Sequence, residues 1–168
     1  WLSDDVEAIS INGFYLVGRL DRAFGPKSGF GGIAIFVRNS ISNVALLEYI
    51  DSAERMWCVL HTNIGGILLG NWYRPPDDNG SSFAELVPEI KRLSSEFVGI
   101  ILVGDVNIHH RRWLRHSNSN TALGESLWGK CREVGLKQIV REPTRGEYLL
   151  DLVFTDMGEL LSVKVLPE

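Results

Sequence analysis

The sequence predicts an α/β (α+β) domain, and three observations carry that prediction. Strand-like segments dominate the first half, two amphipathic helical stretches interrupt the second, and residues 98–103 between those stretches are apolar throughout. The resulting order of strands, helix, strand, helix, strand, strand suggests a sheet packed with helices on its outer faces. At 168 residues, 45% hydrophobic and 23% charged, the chain is large enough for one domain with a substantial core.

Residues 14–20, 32–37, 56–61 and 67–73 are rich in β-branched and aromatic side chains and bounded by turn formers, as strands should be. Residues 29–32 read as a flexible loop leading into the second of these, and Gly65-Gly66 as a tight hairpin turn between the last two. From residue 83 to 97 the apolar positions Phe83, Leu86, Val87, Ile90, Leu93 and Phe97 share one helical face, and Ser82 with Glu85 resembles a capping box. Pro88 marks either a kink or a later start with the proline in the first turn. The apolar run 98–103 predicts a strand covered on both faces. A second helix is predicted by the spacing of Leu123, Leu127, Cys131 and Val134, with Gly135 as its cap, and strands follow at 149–155 and 160–165.

Bulk properties exclude several classes. A net charge of −4 supplies no global field for nucleic acid, so polyanion binding would need local basic clusters or a bound cation. Cys58 and Cys131 have neither disulfide-framework nor zinc-finger spacing, which suits a reduced, intracellular setting. No apolar run is long enough to cross a bilayer, and no membrane association or targeting signal is expected.

Gly104-Asp105-Val106-Asn107 follows the apolar run, and on extended backbone Asp105 and Asn107 project to one side. They could serve as turn-capping groups, or as part of a phosphodiester-hydrolysing site that positions water and supports developing negative charge. Tyr73-Arg74-Pro75-Pro76 ends another strand, where Tyr73 reads as a sheet-edge aromatic or a phosphate donor. Asp151 interrupts the apolar run 150–155, as a turn former or a carboxylate with a buried partner. Adjacent His109 and His110 diverge on extended backbone, which disfavours a zinc site. Arg111, Arg112 and Arg115 form the densest basic patch, either solvated or contacting phosphate backbone, and Trp57, Trp72 and Trp128 read as core.

The order of these motifs resembles the endonuclease/exonuclease/phosphatase superfamily, and most closely the apurinic-type endonuclease domain of non-LTR, jockey-type retrotransposons. The shared features are a Trp1-Leu2 start, Gly-Gly-x-Ala-x-Phe-Val at 31–37, Tyr-Arg-Pro-Pro at 73–76, and Gly-Asp-x-Asn with His109, His110 and Trp113 behind it. Pro143-Thr144-Arg145 and Leu-Asp-Leu-Val-Phe-Thr at 150–155 complete the series. The resemblance implies a four-layer sandwich of two packed mixed β-sheets flanked by helices, as in deoxyribonuclease I.

It also implies roles. Asp105 would orient or deprotonate the attacking water, Asn107 would hold the phosphate, and both are candidate ligands of Mg²⁺ or Mn²⁺. Tyr73 would bind the scissile phosphate, and Asp151 would orient a catalytic histidine. Arg74, Arg111, Arg112 and Thr144 would contact phosphate or DNA. The family's metal-binding Glu would precede Trp1 and its Ser-Asp-His would follow Glu168, so residues 1–168 are expected to be one domain, incomplete at both termini. The implied function is metal-dependent DNA nicking, impaired in this stretch. Alternatives are a catalytically inactive retroelement-derived binding module and a phosphatase of the same superfamily. The implied setting is nuclear, with DNA as partner, a monomeric state, and a reverse transcriptase in the same parent polypeptide.

Overall fold

The computed structural model describes residues 9–22 and 31–166. In chain order its elements are β1 (Phe14–Asp21), β2 (Gly32–Arg38), β3 (Val44–Ile50), β4 (Arg55–Thr62) and β5 (Gly65–Tyr73), then α1 (Leu86–Leu93), β6 (Gly99–Asp105), α2 (Ala122–Glu133), β7 (Lys137–Gln138) and β8 (Asp151–Thr155). β1 and β2 form a two-stranded antiparallel sheet, while the other six strands form one mixed sheet in the order β3-β4-β5-β6-β8-β7. Only β5 and β6 run parallel within it, and α1 lies in the crossover that joins them.

Alternation along the central strands sends side chains to two cores. Trp57, Leu68, Trp72 and Leu102 face α1 and α2, where they pack with Leu86, Ile90 and Leu127. Met56, Cys58 and Leu69 face the other way, against Val17, Ile33 and Ile35 of the small sheet. The expected pair of packed sheets with flanking helices is therefore present. Burial in this second layer raises the Cys58 thiol to about 11, and burial on the inner face of α2 raises Cys131 to about 12, so both stay protonated, inert core groups. A buried ion pair ties sheet to helix: Arg55 Nε and Nη2 donate to the Glu89 carboxylate at 2.7 and 2.6 Å. Trp57 Nε1 donates to the same carboxylate, and Arg55 Nη1 donates to the Ser82 carbonyl.

Several expectations are corrected. The hairpin turn falls on Asn63 and Ile64, because Gly65 and Gly66 already pair with Thr62 and His61 in the ladder. The long helix is divided into a 3₁₀ turn (Ser81–Phe83), α1 and a second 3₁₀ turn (Ser94–Glu96), with Pro88 in the first turn of α1, where its missing N–H costs nothing. The Ser82–Glu85 capping box is replaced by Asp78, whose carboxylate accepts from Ser82 N and Oγ and from Gly80 N. Only one face of β6 is covered, with Ile100 and Leu102 buried but Val103 38% exposed. Residues 160–165 form no strand, and β3 was not anticipated. The second helix is as expected, with Thr121 as N-cap accepting from Gly124 N and Gly135 in the left-handed region at φ 76°. Trp1, Leu2, Gly29 and Phe30 lie outside the described residues.

Candidate active site

Strand register assembles the site. Tyr73 on β5 stands opposite Asp105 on β6, and Asp105 stands opposite Asp151 on β8, so the three form one row across adjacent strands. With strands ~4.8 Å apart, opposed residues on one face are direct neighbours. Gly104, the residue before Asp105, is opposite Trp72, and a Cβ there would lie 1.8 Å from the Trp72 carbonyl oxygen. The glycine of the Gly-Asp-x-Asn motif is thus demanded by the close approach of two strands.

Beyond Asp105 the chain turns at Asn107, which adopts a left-handed φ of 50°. Asn is among the side chains that tolerate this region. Its Nδ2 donates to the Arg74 carbonyl at 2.9 Å, while Arg74 Nη1 donates to the carbonyls of Val106 and Asn107 at 3.2 and 3.0 Å. Arg74 Nε donates to Asp78 Oδ2 at 3.1 Å, and Nη2 to the Asp78 carbonyl. Arg74 is 1% exposed. The expected phosphate contact is therefore corrected: this guanidinium is folded inward, where it hooks the Asn107 turn to the segment after β5. Burial opposes ionisation of Asp78, yet hydrogen bonds from Ser81, Ser82 and Gly80 hold its carboxyl below the usual value.

Asp105 divides its two oxygens. Oδ2 accepts from Arg145 Nη2 at 2.7 Å, whereas Oδ1 is buried with no hydrogen-bond partner among the described residues. The Asp105 bond holds the Arg145 guanidinium above the usual arginine value; partial burial opposes this, and the charges of Asp105 and Asp151 add to it. Arg145 sits in a hairpin in which Thr144 Oγ1 accepts from the N–H groups of Leu150 and Asp151 at 3.1 and 2.9 Å. Those bonds use the hydroxyl's acceptor capacity and leave its proton to donate. Tyr73 is held from the other side by Arg22, which lies 5.0 Å from the ring centroid and grips Glu54 through Nε and Nη2. A cavity of about 430 Å³ at Asp105 and Asp151 is lined also by Asn71, Val103 and Thr144, and Tyr73 lies outside its lining.

The remaining predicted residues lie nearby with different duties. No histidine hydrogen-bonds to Asp151 among the described residues. His110 is 1% exposed; its Nδ1 accepts from Arg112 N at 3.3 Å, which leaves Nε2 to donate to Glu125 at 2.8 Å, so the neutral ring satisfies both contacts. His109 packs edge-on against Tyr148 with a buried, unpartnered Nδ1. No cluster of three or more metal-ligating His, Cys, Asp or Glu occurs among the described residues. Arg111 is exposed and donates to the Asn118 carbonyl, while Arg112 lies over the ring of Trp128, which is half-buried instead of core. Sequence reasoning missed two residues, Arg145 and Asp78. The first stood within the quoted Pro-Thr-Arg, and the second stands four residues after Arg74 outside any helix, where that spacing carries no signal.

The chain is similar to the endonuclease domain of TRAS1, a telomere-specific non-LTR retrotransposon, at 20% identity and a TM-score of 0.65, covering 95% of this chain and 72% of that one. It is also similar to a mannosyl-6-phosphatase of Bacteroides thetaiotaomicron (15% identity, TM-score 0.57, covering 86% of this chain and 63% of that one). A third likeness is to ANGEL2, a 2′,3′-cyclic phosphatase (14% identity, TM-score 0.55, covering 94% and 68%). These likenesses establish a shared endonuclease/exonuclease/phosphatase fold. No curated protein sequence matches. The family model described as endonuclease-reverse transcriptase matches residues 67–166, more than half of the chain and every residue of the Tyr73, Asp105 and Asp151 row, and the chain belongs to that family.

Proposed function

We propose that this protein hydrolyses phosphodiester bonds with the help of Mg²⁺ or Mn²⁺, that its substrate is DNA, and that it works beside a reverse transcriptase in the nucleus. The observation that carries this reading is the row of Tyr73, Asp105 and Asp151, with the unpartnered Asp105 Oδ1 at its centre. A buried carboxylate oxygen without a donor suits a hard cation. Mg²⁺ commonly takes only one or two carboxylates and fills its shell with water and phosphate oxygens, so Asp105 would hold it with Asn107 beside it. The cation would supply positive charge where the phosphate gathers negative charge and would lower the pKa of the attacking water.

The chain's own groups do the rest. Tyr73 and Thr144 have hydroxyl protons to give to phosphate oxygens, and Asn107 has a second N–H beyond the one bound to Arg74. Asp105 orients the water and accepts its proton. The water oxygen bonds to phosphorus, the P–O3′ bond breaks, and its electron pair leaves with O3′, which takes up a proton to become a 3′-hydroxyl. Arg145 balances the paired carboxylates and fixes the rotamer of Asp105.

The test is nicking of supercoiled plasmid with Mg²⁺ or Mn²⁺, alongside phosphate release from a phosphoinositide and a sugar phosphate. Asp105→Asn should slow nicking by ~10²–10⁴-fold, the range for loss of a general base. Equal nicking by both proteins would remove Asp105 from the mechanism. Faster turnover of the monoesters than of plasmid would replace the DNA substrate with a small phosphate ester.

A further inference from the structure

Away from the carboxylate row, a cleft of about 300 Å³ opens between α2 and the edge strand β7, lined by Trp113, Trp128, Cys131, Arg132, Gln138 and Phe154. Its aromatic wall is braced. Trp113 Nε1 donates to the Gly124 carbonyl at 3.2 Å, and the buried His110 ring packs 6.3 Å from both indoles. Trp128 carries Arg112 and Arg132 at 5.3 and 5.1 Å from its ring centroid, and Lys137 adds a further exposed cation at the rim. The second, independent observation is Gln138. It is only 9% exposed, its Nε2 is committed to the Val140 carbonyl at 3.0 Å, and its Oε1 is buried with no partner. The cleft therefore offers an aromatic wall overlaid by guanidinium planes, further cations and a desolvated acceptor awaiting an N–H.

From this combination we propose that the cleft is a second nucleic-acid site, which takes an unstacked base bearing an exocyclic amino group: adenine, cytosine or guanine. The proposal rests on the reading of DNA as substrate. Indoles and guanidinium planes stack on any base, and the rim cations suit the adjoining phosphates. Gln138 Oε1 adds discrimination. Adenine, cytosine and guanine present an amino group to a lone acceptor, whereas the N3–H of thymine is flanked by carbonyls that would crowd it. Trp113 packs on Phe154 of β8 at 6.1 Å, and Phe154 lies three residues from Asp151, or ~10 Å at the rise of a strand. Phe154 and Asp151 point to opposite faces of β8, so the cleft lies across the sheet from the carboxylate row. Melted or frayed DNA beside the nick is the form of substrate that would supply such a base.

Binding of 5′-fluorescein-labelled (dA)₆, (dC)₆ and (dT)₆, read by fluorescence anisotropy in EDTA, tests the proposal without cleavage. The unaltered protein should bind the adenine and cytosine strands about 5-fold more tightly than thymine, the worth of one satisfied buried acceptor. Gln138→Met should bring all three to the thymine level, and Trp128→Leu should weaken all three by about 10-fold. Arg132→Ala, at an exposed position, should weaken all three by a smaller factor, and it decides the aromatic-cationic part if Trp128→Leu does not fold. Equal affinity for the three strands, a preference that survives Gln138→Met, or no binding at all would overturn the assignment. Asp105→Asn separates this inference from the catalytic one. It should keep the base preference while losing nicking, so base preference without any nicking sinks only the phosphodiesterase reading, and nicking without base preference sinks only the cleft.

Discussion

Asn107 has a conformational duty and a chemical one, and they can be separated by substitution. At φ 50° a residue with a Cβ and no local polar group is strained, by about 1–2 kcal/mol, whereas glycine is not. Asn107→Ala should therefore lower stability by about 1–2 kcal/mol in thermal melts, and Asn107→Gly should recover the strain part. Neither restores the amide, so both should nick plasmid equally poorly. Recovery of nicking by the glycine variant would show that Asn107 only shapes the turn. Gly104 admits no such division. Its ideal Cβ would meet backbone, the Trp72 carbonyl, at 1.8 Å, so β5 and β6 must separate to accept Gly104→Ala. The expected loss is about 3 kcal/mol or more in denaturant titrations, at the upper end of overpacking costs. A change below 1 kcal/mol, on the order of thermal energy, would mean that the two strands are less closely held than the register requires.

Between elements, the hook of Arg74 and Asp78 decides whether the end of β6 keeps its shape. Asp78 has a folded-state carboxyl value below the ordinary one, so its contribution is fully present above the unfolded value of about 3.9 and is lost as pH falls through the lower folded value. Acid unfolding followed by near-UV circular dichroism should accordingly begin below about pH 4. In Asp78→Asn that component of the pH dependence should vanish, with the melting temperature lowered already at pH 7. An unchanged acid limb in the variant would place the sensitivity elsewhere. The same scale explains what the sequence concealed. β3 reads Val-Ala-Leu-Leu-Glu-Tyr-Ile, and a register shift between Leu46 and Glu48 changes the phase of its alternation midway, so no period-2 pattern was there to read. Residues 160–165 show the converse: they carry strand-like composition, but no strand pairs with them among the described residues, and only Val165 packs against the main core.

At the scale of the whole molecule, the site was legible as parts and illegible as a place. Tyr73, Asp105 and Asp151 each had an ordinary structural reading, and only pairing between strands distant in sequence sets them side by side. Arg74 was expected at a phosphate from the motif it stands in, and a motif does not tell which way a guanidinium points. Its burial follows from Asp78 four residues on and from the carbonyls of the turn after β6, which no local pattern encodes. The same global view constrains binding. With a net charge of −4 the protein has no long-range pull on DNA, so attraction must come from few, local cations, of which exposed Arg111, Arg112 and Arg115 are the densest group. Each neutralised phosphate contributes about −0.9 to the slope of log affinity against log salt, so a double-stranded site using these three arginines should give a slope near −3. Arg111→Ala should reduce its magnitude by about 1 and weaken all duplex sequences alike. A slope near zero in the unaltered protein would mean that these arginines do not touch the backbone. A slope far steeper than −3 would require cations that a protein of this charge balance has not gathered at the patch.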